Sequence, residues 1–269
     1  MSSLVAAIEG IGFWMHGLPS WEAARAFANG GALIADAPSK PSPQLLPPNE
    51  RRRASESVGI ALEVAAAACQ AADRDPASLP SVFASTHGDL AITDYICATL
   101  ASEPRAMSPT KFHNSVHNAA AGYWTIGNGC MHATTAISAF DGTFAQGLLE
   151  ALAQLNDGAE AVLLAGYDTA STGPLGEMTH SEGLLGGALV LSRRDPGLHS
   201  PSEKPAIAVL RATLVDGDPP PTQGALARLG ANNAMAQMLP LFDALASGGD
   251  VVLLKAGPGR LLRVEIAHG

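Results

Sequence analysis

TTAISAFDGTFAQGLLEAL, residues 134–152, is the stretch that decides the fold. Thr134 to Ala139 is a short run with β-branched residues, and Asp141-Gly142 interrupts it. Phe144, Leu148, Ala151, Leu152 and Leu155 then recur at helical spacing. The pattern is strand, sharp turn, helix. Such a turn is where many enzymes mount a nucleophile, because it exposes one side chain above a helix N-terminus. The residue offered here is Phe140, which has no nucleophilic atom.

Upstream, LVAAIEGIGFW predicts a first strand and PSWEAARAFANG a short helix capped by Ser20. Residues 35–49 hold five prolines and predict a loop. A long helix is expected from about Arg52 to Asp73, with Val58, Leu62, Ala65 and Cys69 as its buried stripe. SVFASTHGD reads as a strand ending in a turn at His87-Gly88. The helix expected at 90–102 carries Cys97 on its apolar face, and residues 111–129 read as an amide-rich loop entering a helix.

Downstream, AEAVLLAGYD and EGLLGGALVLS are almost continuously apolar, as strands covered on both faces are. Residues 193–204 read as a loop, AIAVLRATLV as a strand and 224–248 as a helix kinked at Pro240. VVLLKAGPGRLLRVEI reads as a terminal hairpin. Strands alternating with helices specify a layered α/β domain.

Hydrophobic residues make up 47% of the 269 and charged residues only 15%, so the buried surface exceeds what an isolated monomer needs. A buried interface accounts for the surplus. The formal charge of −9 leaves no basic face for nucleic acid. The one tight basic run, Arg51-Arg52-Arg53, is placed at the opening of the long helix, as a solvated first turn or a contact for a phosphate or acidic partner. Cys69, Cys97 and Cys130 have neither metal-ligand spacing nor an even count. With no basic leader and no long apolar run, the expectation is a soluble cytoplasmic protein without a membrane span, metal or cofactor.

Two clusters could carry chemistry. Cys130 and His132 lie two apart in a segment read as strand, and would share a face. His113, Asn114, His117 and Asn118 could form a histidine-based site, or a loop in which imidazoles and amides satisfy backbone groups. Glu160 and Asp168 flank a buried strand as a surface charge and a strand-end cap. His87 and Asp89 sit at a strand terminus where an active site could lie but carry little alone, and Gly127-x-Gly129 is too short for a nucleotide fingerprint.

SVHNAAAGYWTIG (115–127), TTAISAFDGTFAQGLLEAL and NDGAEAVLLAGYD (156–168) resemble, in order and spacing, the N-terminal half of β-ketoacyl synthases. Asn118, Ala121 and Gly122 match the loop and helix beside that family's active site, and Glu160 to Asp168 match its closing strand. The resemblance covers about residues 4–192. It implies a thiolase-like α/β/α layered domain spanning 1–269, with residues 205–269 as a reduced C-terminal half. Counting back from Glu160 puts Phe140, or Asp141 one residue on, where the family has its catalytic cysteine. Both histidine motifs and the phenylalanine-glycine gate of the second half have no counterpart. Only His180, His199 and His268 follow the turn.

The chain therefore resembles a chain-length factor, the silent partner of a ketosynthase in fatty acid and polyketide biosynthesis. It looks most like the short subunits of aryl polyene clusters. That resemblance implies a heterodimer with a ketosynthase, and acyl carrier protein engaged through that partner. No catalytic residue is implied. Phe112, His113, Asn114, Val116, His117, Asn118, Thr135 and Ile137 become candidate tunnel and interface residues. The alternative is a stand-alone acyltransferase or thioesterase using His113/His117 or Cys130.

Overall fold

A computed structural model describes residues 3–193, 205–221 and 223–269. The chain opens on β1 (Leu4–Met15) and α1 (Trp21–Ala28), where the Ser20 side chain accepts from the Ala23 N–H as an N-cap. A short α2 (Pro48–Arg51) precedes the long α3 (Glu56–Ala72), β2 (Ser81–Ala84) and α4 (Leu90–Ser102). Next come α5 (Pro109–Asn114), α6 (Ala119–Asn128), β3 (Thr134–Ile137) and α7 (Thr143–Asn156). They lead to β4 (Ala161–Asp168), α8 (Gly173–Met178) and β5 (Leu185–Ser192). The remainder is β6 (Ala208–Asp216), α9 (Ala225–Leu229), α10 (Leu239–Ser247), β7 (Val251–Gly257) and β8 (Arg260–His268).

The described strands form one sheet in the order β3-β2-β4-β5-β1-β6-β8-β7. β3, β2 and β4 are parallel and every other pairing is antiparallel. β4 shows why the apolar runs are continuous: its alternate residues feed two cores. Val162 and Leu164 face one core with Phe13, Phe144, Leu148 and Phe242. Leu163, Ala165 and Tyr167 face the other with Ile60, Val64, Phe83 and Trp124. α7 and α10 cover the first face, α3 and α6 the second, so the layers are α/β/α. α3 lies so close to β1 that a Cβ on Gly12 would stand 2.0 Å from the Val64 carbonyl oxygen. Only glycine permits that contact.

Several local expectations are corrected. The arginine triplet does not open α3: Arg51 ends α2, Arg52 and Arg53 lie in the turn beyond, and Ser55 caps α3 by accepting from the Val58 N–H. Cys97 is exposed, because α4 buries only Leu90 and Ile92. Residues 109–114 are helical rather than loop, with Pro109 at the first turn and Ser108 accepting from the Lys111 N–H. Pro240 kinks no helix. It sits in the first turn of α10, after a 3-10 segment at Ala234–Met238, where its missing N–H costs nothing. Residues 130–133 precede β3 and are not strand. The loop expected at 193–204, with His199, lies outside the described residues from 194 onward.

Candidate functional site

The site forms where the parallel strands β2, β3 and β4 end together. β3 closes at Ile137, and the Ser138 hydroxyl donates to the Thr86 carbonyl at 2.6 Å. The chain turns at Phe140 with φ +49°, in the left-handed region that a side chain disfavours. A single 3-10 turn, Phe140–Gly142, passes directly into α7. The turn is braced on three sides. The Thr143 hydroxyl accepts from the Ala139 N–H at 2.9 Å and donates to the Phe140 carbonyl at 2.5 Å. Asp141 pairs with Lys255 of β7. Gly142 lies against β7 so closely that a Cβ would stand 3.0 Å from the Ala256 carbonyl carbon, and Gln146 donates to the Ala256 carbonyl at 2.6 Å.

The geometry is that of a nucleophile elbow, and the sharp turn belongs to Phe140, not Asp141. Phe140 is 74% exposed. Covalent catalysis needs a lone pair on an activated heteroatom, which a phenyl ring lacks.

Beneath the elbow, strand ends widely separated in sequence converge on Asp168, the fully buried last residue of β4. Its carboxylate accepts from the Ser85 hydroxyl at 2.7 Å, and the Thr86 N–H lies 3.1 Å from each oxygen. Burial pushes the carboxyl above the ordinary aspartate range. His87, its Nδ1 3.8 Å away, and the hydrogen bonds from Thr86 and Ser85 oppose that rise. His117 joins the same turn through an Nε2 contact of 2.8 Å to the Ser85 carbonyl. Asp89 caps α4 by accepting from the Ile92 N–H at 3.0 Å and accepts from the Ser57 hydroxyl at 3.1 Å.

The candidates from sequence are only partly brought together. His117 reaches the foot of the elbow, whereas His113 is exposed, its ring edge-on to Tyr123 at 5.8 Å. Asn114 is buried and donates to the Arg53 carbonyl at 3.3 Å. Asn118 is the N-cap residue of α6 and makes no side-chain cap bond. Phe112 and Val116 are exposed. Thr135 accepts from Gln154 at 3.4 Å. Ile137, at the margin of the core, lines a groove of about 430 Å³ with Ser138, Gln146, Leu149 and Glu150.

Cys130 and His132 do not form a pair: the thiol is buried against the Leu79 carbonyl, and the imidazole is exposed. Among the described residues, no three His, Cys, Asp or Glu side chains converge to hold a metal. No helix among them is long and apolar enough to cross a membrane. Sequence reasoning placed Asp168 and His87 at two strand ends but missed that these ends meet in one cluster. Its only signal was two apolar runs ending in polar residues, Ser85-Thr86-His87 and Asp168.

Residues 21–215 match the family described as β-ketoacyl synthase, N-terminal domain. The chain belongs to the β-ketoacyl synthase family. No curated protein matches it in sequence. Among solved structures it is similar to a ketosynthase in complex with its chain length factor from Xenorhabdus doucetiae. That likeness has a TM-score of 0.70 and 20% identity, and covers 98% of this chain and 97% of the other. A type II polyketide synthase acyl-carrier protein in complex with its ketosynthase, bound to the hexaketide, matches with a TM-score of 0.71 at 14% identity over 100% of both chains. The ishigamide ketosynthase/chain length factor matches with a TM-score of 0.70 at 14% identity, over 98% of this chain and 99% of that one. At these identities the likeness is one of fold, and the fold of this ketosynthase-family chain is thiolase-like.

Proposed function

We propose that this ketosynthase-family chain is a chain-length-factor-like subunit. It lacks a reacting thiol, pairs with a catalytic ketosynthase and bounds that partner's acyl tunnel. The observation that carries the proposal is the elbow itself. The strand, the left-handed turn and the helix are all present, and the residue they display is Phe140. A condensing enzyme needs a thiolate to hold the acyl chain and polar groups to stabilise developing charge. The partner would supply the cysteine and both histidines. Here His180 pairs with Glu182 and His268 contacts the Gly249 carbonyl, so both are engaged at the surface. Among the described residues the outer edge of β3 is unpaired, which leaves a strand free to continue into another subunit. Two of the three similar structures contain a ketosynthase with a chain length factor, which supports the same reading.

Acyl carrier protein is acidic in this family. At −9 the chain is a poor dock for it, so the carrier would engage the ketosynthase. Phe112, Val116 and His117, on and after α5, are proposed as tunnel wall. The test is a three-way comparison with malonyl- and acyl-loaded carrier protein: this chain alone, the ketosynthase alone, and both together. Condensed product is expected with both and none from this chain by itself. Turnover by this chain alone, above a no-protein control, rejects the proposal. Phe140→Cys is not expected to create activity, because the two histidine motifs that would serve such a thiol have no counterpart in the sequence.

A further inference from the structure

Phe140 holds a conformation that suits asparagine or glycine far better than phenylalanine. A disfavoured backbone state persists only where the surroundings over-determine it, and such states concentrate at functional positions. The surroundings here are Thr143, the Asp141–Lys255 pair and the close approach of Gly142 to Ala256. The ring gives the fold little in return. Phe140 is 74% exposed and makes no ring contact with another aromatic residue among those described. What phenylalanine contributes at this position therefore lies outside the chain.

Its location says where. Phe140 follows one end of the unpaired edge strand β3, and Met131, 95% exposed, precedes the other end. An open strand edge with a large apolar side chain beyond each end is a surface shaped for a subunit. Buried aromatic anchors carry much of the affinity of such contacts. We propose that Phe140 is the aromatic anchor of the subunit contact, seated in an apolar pocket on the ketosynthase; this rests on the pairing proposed above. The receiving pocket is assigned to a ketosynthase because two of the similar folds come from assemblies of a ketosynthase with a chain length factor.

The decisive feature is that fold and contact pull in opposite directions at this residue. Phe140→Asn and Phe140→Gly relieve the backbone, so their melting temperatures should equal or exceed that of the unsubstituted chain. Both should weaken binding to the purified catalytic ketosynthase by at least about tenfold, whereas Phe140→Trp should stay within about threefold. Calorimetric titration and thermal melts on the same samples read both quantities. Unchanged affinity in the asparagine and glycine variants overturns the anchor while the pairing stands. Melting temperatures that fall in both variants also overturn it, by making Phe140 a residue of the fold. If the unsubstituted chain binds no ketosynthase, the pairing itself fails and the anchor with it. A homodimer of this chain that Phe140→Asn dissociates would assign the ring to a second copy and reject the ketosynthase pocket.

Discussion

Asp168 shows what the buried ends of parallel strands demand of one side chain. Its two oxygens hold the Ser85 hydroxyl and the Thr86 N–H, so Asp168→Ala strands both donors in the interior. Chemical denaturation should register a loss of roughly 2–4 kcal/mol. The carboxyl also leaves a mark on pH dependence. Burial raises it, so the folded chain binds its proton more tightly than the unfolded chain does. The stability this group contributes is full below the ordinary aspartate value and is lost as pH rises through the raised one. Asp168→Asn should flatten that part of the melting-temperature profile, and an unaltered slope would exclude burial as its source. Cysteines offer an independent reading of exposure. Cys69, whose thiol burial pushes up to about 12, and buried Cys130 should resist alkylation in the native chain, while exposed Cys97 is labelled. Local pattern revealed the elbow, because strand, turn and helix are contiguous. It did not reveal the Asp168 cluster, whose members meet only after β2 and β4 pair.

At the scale of elements, β3 is the strand with a free edge beside the proposed contact. The Ala133 and Ile137 carbonyls accept from the N–H groups of Ser81, in β2, and Ser85, just beyond it. Alternation along a strand therefore turns the backbone groups of Thr134 and Ala136 outward. Ala136→Pro removes one outward N–H and leaves the β2 ladder intact, a substitution edge strands tolerate. It should abolish or sharply weaken co-elution with the ketosynthase, with little change in far-ultraviolet circular dichroism. Full co-elution would remove β3 from the contact. The strands were legible because each is an apolar run bounded by turn residues. Helices were less so wherever pattern and burial diverge. α4 is apolar in sequence yet exposes Cys97 and Leu100, and α5 forms in an amide-rich segment from its serine cap and first-turn proline.

For the whole molecule, the proposed tunnel role predicts a change in product rather than in rate. Phe112→Ala in the reconstituted pair should admit longer acyl chains, with condensation held within roughly tenfold, or about 1.4 kcal/mol of barrier. His117→Ala that stops turnover while leaving residual product at normal length would instead make the loop catalytic. Mass spectrometry of the products separates the two. The sheet order also has a consequence for how the chain reaches this state. Among the described residues β1 lies between β5 and β6 in the sheet, so its strand partners begin at Leu185 and Ala208. On the ribosome Ile8, Ile11, Phe13 and Trp14 emerge long before either neighbour exists. Sequence-distant pairing of this kind slows folding and prolongs the exposure of apolar surface. A nascent chain halted at Ser192 still lacks the strand that closes the second edge of β1, so it should be captured by chaperones or aggregate, while release after β8 lets the sheet close.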